Sequence, residues 1–142
     1  MMITVGIIGV LAAVGLPAYQ GYIETANMGK VNEAYQHAIT TVQREFSKDT
    51  TRAALGLPST IPLDEAAWVV VLDPREQSVA PGGGRIYLVD SESNPDPNVT
   101  GAVTVKFDTE TGEVQIHRPS YKSLVAYTAR ITRNSVDITK DT

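Results

Sequence analysis

A run of uncharged, largely apolar residues at the N-terminus constrains this chain more than any other feature. The first charged side chain is Glu24, and residues 1–18 are apolar or small apart from Thr4. As an α-helix these residues extend about 27 Å at ~1.5 Å per residue, which is close to the ~30 Å hydrocarbon core of a bilayer. The segment can therefore span a membrane or lie buried in the core of an assembly.

A cleavable signal peptide also begins with an apolar run, and it is the competing interpretation of this segment. Signal peptides carry lysine or arginine ahead of the run, and this sequence has neither there. In addition, the helical pattern continues past the point where cleavage would occur. The sequence therefore favours a retained helix.

The spacing of apolar residues changes after residue 18, but it stays helical. Between residues 19 and 46 apolar side chains recur every three or four positions, with charged and polar side chains between them. The front half of the helix is thus apolar all round and the back half is amphipathic. The residues predicted to pack this helix on the head are Tyr22, Val31, Tyr35, Ala38 and Val42. We divide the chain into an apolar helix segment, 1–18, and a globular head, 19–142, which includes the amphipathic half of the helix, 19–46.

Gly15 and Pro17 lie where the helix changes character. Proline removes a backbone donor and clashes with the preceding turn, so we expect a kink or local melting there. Glycine weakens a helix by about 1 kcal/mol relative to alanine, and Gly9 lies in the same stretch. Gly9, Gly15 and Pro17 are therefore the predicted joint of the helix, although small residues also allow close helix packing.

The remainder of the chain has the pattern of short strands. Residues 47–65 are rich in Thr, Pro, Gly and Ser and are predicted to form a connecting loop. The β-like runs that follow are 66–72, 85–90, 102–108, 113–118, 124–132 and 135–139. The glycine-containing segment 109–112 predicts a hairpin between two of them. One long helix followed by strands predicts an α+β fold, with the helix packed on an antiparallel sheet.

Composition excludes several functions. The chain has no cysteine, which excludes disulfides, thiol catalysis and cysteine-ligated metals. Its net charge of −4 gives no reason to expect nucleic-acid binding by the head. The two histidines, His37 and His117, are interpreted as satisfied or solvent-facing side chains and not as a metal pair. Since no nucleophile or phosphate-loop motif is present either, the sequence predicts no catalytic residue and no cofactor, and a structural protein.

One acidic segment has the spacing of a metal site. The oxygen ligands at alternate positions are Asp90, Glu92, Asn94 and Asp96, similar to a calcium loop. An EF-hand needs glycine at the sixth position and glutamate at the twelfth, where this chain has Pro95 and Gly101. A solvated surface loop without metal is therefore the favoured interpretation.

The N-terminal helix resembles that of type IV pilins. In that family too, an apolar run with small residues is followed by a step like Pro17-Ala18-Tyr19-Gln20 into an amphipathic helix. The head is similar only in the order of its elements, a helix followed by an antiparallel sheet. The resemblance implies a fold with a protruding helix and a role as a filament subunit.

The resemblance also implies partners and locations. The subunit is expected to wait in the inner membrane and then to polymerise with copies of itself into an extracellular filament of the kind used in adhesion or motility. A prepilin peptidase and the pilus assembly machinery are the further partners that it implies. The side chains expected to form the filament core are Ile3, Val5, Ile7, Ile8, Val10, Leu11, Val14 and Leu16.

Two departures from the family pattern are present. The Phe-Thr-Leu-Ile-Glu stretch that begins mature pilins is missing, so we expect the native mature chain to extend upstream of Met1 with a hydrophobic stretch ending in glutamate. Many pilins close their C-terminal loop with a disulfide, whereas here packing and hydrogen bonds must hold that region.

A pseudopilin of a type II secretion system or a minor tip pilin is the alternative function. A membrane-anchored enzyme or solute-binding domain is disfavoured by the lack of a catalytic constellation.

Overall fold

The computed structural model describes residues 2–92 and 95–142. Its elements are α1 (Met2–Ala54), α2 (Glu65–Leu72), β1 (Tyr87–Val89), α3 (Pro97–Thr100), β2 (Val103–Asp108), β3 (Glu113–Arg118), β4 (Tyr127–Ile131) and β5 (Val136–Lys140). In these described residues the long N-terminal helix packs on a five-stranded, mostly antiparallel sheet. This arrangement confirms the predicted α+β fold.

The amphipathic half of α1 provides one side of the core. Its buried residues follow helical spacing: Val31, Ala34, Tyr35, Ala38, Ile39, Val42, Phe46 and Asp49. The predicted contacts Val31, Tyr35, Ala38 and Val42 are among them. The expectation that Tyr22 also packs on the head is wrong, because its side chain is 76% exposed. Tyr22 precedes the first buried residue by about two and a half turns, and the head does not extend that far along the helix.

α1 also continues past its predicted end, through part of the segment 47–65 that was expected to be a loop. Serine and threonine in this stretch remain compatible with a helix because their hydroxyls bond back to it; Thr50 Oγ1, for example, donates to Phe46 O at 3.0 Å. The helix ends at Ala54, and Gly56 just beyond it has a φ of +71°, in the left-handed region. Leu57 N then donates to Arg52 O at 2.9 Å, which caps the last turn.

The segment 66–72, predicted to be a strand, is a helix. The Asp64 side chain caps α2 by accepting a hydrogen bond from Ala67 N at 2.6 Å. Trp68 and Leu72 lie one helical turn apart and are both buried, with 0% and 4% exposure. The cap and this burial against the core outweigh the strand preference of the intervening valines. Trp68 packs edge-on against Phe46 of α1, with the ring centroids 5.8 Å apart.

The sheet follows the predicted strands closely. Its order is β1-β2-β3-β4-β5, and the pairs from β2 onward are antiparallel. The predicted hairpin between β2 and β3 is confirmed, with Gly112 N donating to Asp108 O at 2.8 Å and a φ of +69° at Gly112. β1 differs from the prediction because it pairs with β2 in parallel. The connection through α3 returns the chain to the same end of the sheet, as a parallel pair requires.

Candidate functional site

The first half of α1 makes no packing contact with the head. Every residue from 2 to 26 is exposed, a helical length of about 38 Å at ~1.5 Å per residue. The predicted filament-core side chains are between 56% and 80% exposed: Ile3, Val5, Ile7, Ile8, Val10, Leu11, Val14 and Leu16. The structure thus brings these eight side chains together on one protruding helix.

This exposed helix is unusually apolar. Its most apolar 18-residue window has a mean hydropathy of 2.0, and none of that window is buried. The helix is long and apolar enough to cross a membrane. Burial is worth roughly 1.5–3 kcal/mol for each large aliphatic side chain, so covering eight of them gains as much as the ~5–15 kcal/mol stability of a whole domain. A surface of this kind acts as an interaction site for lipid or protein.

Glycines along the protruding helix have no role in the packing of this chain. A Cβ atom added at Gly6, Gly9, Gly15 or Gly21 would meet no atom within 4 Å. Glycine nevertheless costs helix stability, about 1 kcal/mol relative to alanine. Small residues on an apolar helix permit close approach of another helix. These positions can therefore serve a contact between chains.

The predicted joint lies inside a continuous helix. α1 runs without a break through Gly9, Gly15 and Pro17, so the single chain does not show the local melting expected from the sequence. Pro17 cannot donate to Ala13 O, but the hydrogen bonds of the flanking residues keep the backbone helical. Departure from helix near these residues in an assembly of this chain stays a prediction.

The head contacts α1 at the point where the helix extends beyond the head. Arg118 donates hydrogen bonds to Asn32 Oδ1 and, at 2.8 Å, to Val125 O. Its guanidinium carbon lies over two tyrosine rings, 5.4 Å from the centroid of Tyr35 and 4.9 Å from that of Tyr127. Burial raises the pKa of Tyr35, although the charge of Arg118 opposes that rise. These contacts fix the direction in which the apolar helix emerges.

A second tyrosine ties the sheet to the same part of α1. Tyr87 Oη donates to Ala34 O at 3.0 Å and lies 3.1 Å from His37 Nδ1. Burial raises the pKa of Tyr87 to about 12, and the negative charges of Asp73 and Glu33 add to that rise. The hydroxyl therefore remains protonated as a hydrogen-bond donor at physiological pH.

The far end of the head is held by a buried carboxylate. Asp49 Oδ2 lies 2.7 Å from Arg133 Nη2 at the β4–β5 turn, and Asp49 Oδ1 accepts a hydrogen bond from Ser59 Oγ. We call Asp49, Arg133 and Ser59 the distal clasp. It connects the C-terminal hairpin and the loop after α1 to the helix by polar contacts, beside the apolar packing of Ile61 and Val136 against the core. Sequence reasoning missed Asp49, although its place on the apolar stripe, three residues after Phe46, was a usable signal.

The other candidate metal ligands each contact different residues. His37 contacts Tyr87 as described, and His117 Nδ1 lies 3.0 Å from Asp141 Oδ2 on the other part of the sheet. In the calcium-like segment the Asp96 side chain caps α3 by accepting from Asn98 N at 2.9 Å, while Asn94 lies outside the described residues. Within residues 2–92 and 95–142 no group of three or more His, Asp or Glu side chains could hold a metal ion.

Comparison with known proteins found no relative of this chain. No protein-family model, no curated protein and no solved structure matches the chain. The geometry of α1 and the resemblance of its sequence to pilin helices are therefore the features that bear on function.

Proposed function

We propose that this chain is a structural subunit, not an enzyme, that polymerises into a type IV pilus-like extracellular filament through its N-terminal helix. The observation that carries the proposal is the exposure of residues 2–26 on a chain whose head already has a complete core of its own. Such a helix needs a partner that covers it on all sides. A bilayer provides that cover before assembly, and a bundle of identical helices provides it afterwards.

Transfer between these two environments is energetically reasonable. The apolar side chains of residues 3–16 leave lipid and enter a helix bundle without meeting water, so the hydrophobic free energy is retained. Exposed glycines such as Gly6 and Gly9 allow neighbouring helices to approach closely, which favours bundle packing over lipid contact. The order of residues around Pro17, similar to that of pilins, supports the same assignment.

A filament also needs subunits that repeat without closing into a ring. Contacts between different surfaces of identical chains generate open helical assemblies when their rotation does not close. A straight apolar helix with a head at one end has distinct sides available for several neighbours. The head then lies outside the bundle, because its attachment begins only after Ala26.

The experiment is electron microscopy of surface filaments sheared from cells that produce the chain, with the density traced to this sequence. We expect filaments whose core contains residues 3–16. Ile8→Lys with Leu11→Lys should abolish them, since each charge would be buried in the bundle. Gln43→Lys, a matched control at an exposed position of the head-bound half, should leave filaments intact.

Two results would contradict the proposal. If the chain stays in the membrane fraction as a monomer and no filament contains it, the helix is only an anchor. If Ile8→Lys with Leu11→Lys forms the same filaments as the unmodified chain, the apolar helix is not the assembly element. Mass measured by multi-angle scattering of the membrane-extracted chain separates the monomer from oligomers.

A further inference from the structure

The segment Asn98-Val99-Thr100 matches the acceptor motif for N-linked glycosylation, an asparagine followed two residues later by threonine with no proline between them. No other asparagine of the chain is followed by serine or threonine at that distance. A three-residue match also occurs by chance, so the motif alone decides nothing. The structure adds the position of each group that the modification requires.

The motif lies on α3, at the end of the head from which α1 emerges. Asn98 and Val99 are both exposed, Val99 to 70%. The Asn98 side chain contacts Ser120, and Ser123 of the same loop donates a hydrogen bond to Met28 Sδ of α1 at 3.0 Å. An oligosaccharide attached to Asn98 therefore meets solvent and not the core.

Two hydrogen bonds fix the direction in which the Asn98 amide points. Its Oδ1 accepts from Ser120 N at 3.1 Å and from Ser120 Oγ at 3.0 Å. A backbone N–H can only donate, so the amide atom that faces it must be the oxygen, and this contact excludes the flipped amide. The nitrogen Nδ2 therefore points away from Ser120. Within residues 2–92 and 95–142 this nitrogen makes no hydrogen bond.

An N-linked sugar uses the atom that this arrangement leaves free. A glycosylated amide keeps its carbonyl oxygen, so both hydrogen bonds from Ser120 remain. It also keeps one N–H, since only the other hydrogen of Nδ2 is exchanged for a sugar carbon. Asn98 can thus carry an oligosaccharide in the folded head without losing a polar contact. The sugar lies next to Val99, whose exposed apolar surface it can cover.

Thr100, the third residue of the motif, has a structural role in the folded head. It is 4% exposed, and its hydroxyl donates to Asp96 O at 3.2 Å and accepts from Ala102 N at 3.3 Å. An enzyme that recognises the motif needs this hydroxyl, which the folded head hides. The sugar is therefore added before α3 forms, while the segment crosses the membrane, and folding then leaves Asn98 on the surface.

We propose that Asn98 is an N-glycosylation site of this chain. The donor is an oligosaccharide joined through pyrophosphate to a membrane lipid, and a transferase in the same membrane is the catalyst. Asn98 Nδ2 forms a bond to the first sugar carbon, the bond from that carbon to the pyrophosphate oxygen breaks, and the lipid pyrophosphate leaves. Nδ2 gives up one proton to a base of the transferase. The inference goes beyond the proposed function, because it requires only that the head crosses the membrane.

Mass spectrometry of the full chain, extracted in detergent from the cells that naturally produce it, tests the site. We expect the peptide that contains Asn98 to carry an oligosaccharide, with fragment spectra that place it on that residue. Asn98→Asp keeps an oxygen toward Ser120 and removes the nitrogen that carries the sugar, so the chain should lose the entire sugar mass. Asn134→Asp, at an exposed asparagine outside the motif, should keep it. Thr100→Ser retains the motif and should keep it as well.

The possible results separate this inference from the proposed function. An unmodified Asn98 in chain from these cells overturns the inference, whether or not filaments form. A sugar mass that persists in Asn98→Asp also overturns it, since the sugar is then on another side chain. If Asn98→Asp does not fold, the fragment spectra of the natural chain still decide. A sugar on Asn98 in a chain that forms no filament defeats the proposed function and leaves this inference standing.

Discussion

Removing the arginine of the distal clasp should destabilise the head more than removing an equally exposed lysine elsewhere. In Arg133→Ala the buried carboxylate of Asp49 loses its cation and keeps only the hydrogen bond from Ser59. Lys48→Ala is the matched control, because Lys48 pairs with Glu45 on the surface of the same helix. The side chains of Arg133 and Lys48 are both 54% exposed, so the two pairs differ mainly in the burial of the acid.

The expected magnitudes follow from that difference in burial. The Asp49 side chain is 3% exposed and that of Glu45 is 18% exposed. Leaving a fully buried charge without its partner costs about 3–5 kcal/mol. Because Arg133 is half-exposed, water can partly replace it, and we expect a loss of about 1–3 kcal/mol in the free energy of unfolding. Lys48→Ala should cost at most ~0.5 kcal/mol, as surface pairs do.

Urea unfolding of the full chain in mild detergent measures both losses. Trp68 is the single tryptophan and is 0% exposed, so its fluorescence reports directly on the core. An unchanged slope with a lower midpoint identifies a true loss of stability. Equal losses for the two variants, or a loss below ~0.5 kcal/mol for Arg133→Ala, would refute the reasoning that the clasp holds this region in place of a disulfide.

Three further predictions concern other parts of the chain. Gly101→Ala should lower the free energy of unfolding, measured by urea titration, by about 2–4 kcal/mol. The reason is that φ at Gly101 is +79° and the new Cβ would lie 2.8 Å from Val31 Cγ2. Gly112→Ala, with positive φ but open space, should cost only ~1 kcal/mol. Because the folded pKa of Tyr87 is about 12, above its usual 10, stability should fall as pH rises from 10 to 12, and less so in Tyr87→Phe. In filaments, Pro17→Ala should restore a backbone donor and give stiffer, less extensible fibres under pulling; unchanged extensibility would contradict a joint there.

The sequence by itself determined the features that depend on local periodicity and turn chemistry. The spacing of Val31, Tyr35, Ala38 and Val42 indicated the buried side of α1, since 3.6 residues per turn bring these side chains into one row. Alternation in β2 and β3 and the glycine at position 112 indicated their hairpin. The uncharged run before Glu24 indicated a helix that needs lipid or protein around it. Each of these signals lies within one continuous stretch of the sequence.

Tertiary structure decided what depends on contacts between distant residues. Valines 69–71 favour a strand locally, but the cap at Asp64 and burial of Trp68 against Phe46 make α2 a helix. β1 pairs in parallel with β2 because of how the intervening connection crosses the sheet, which no local pattern specifies. Tyr22 is exposed because the head does not extend that far along α1 and because Tyr22, nine residues before Val31, lies on the opposite side of the helix. Periodicity identifies the sides of a helix, and only the packed fold determines which part of each side the head covers.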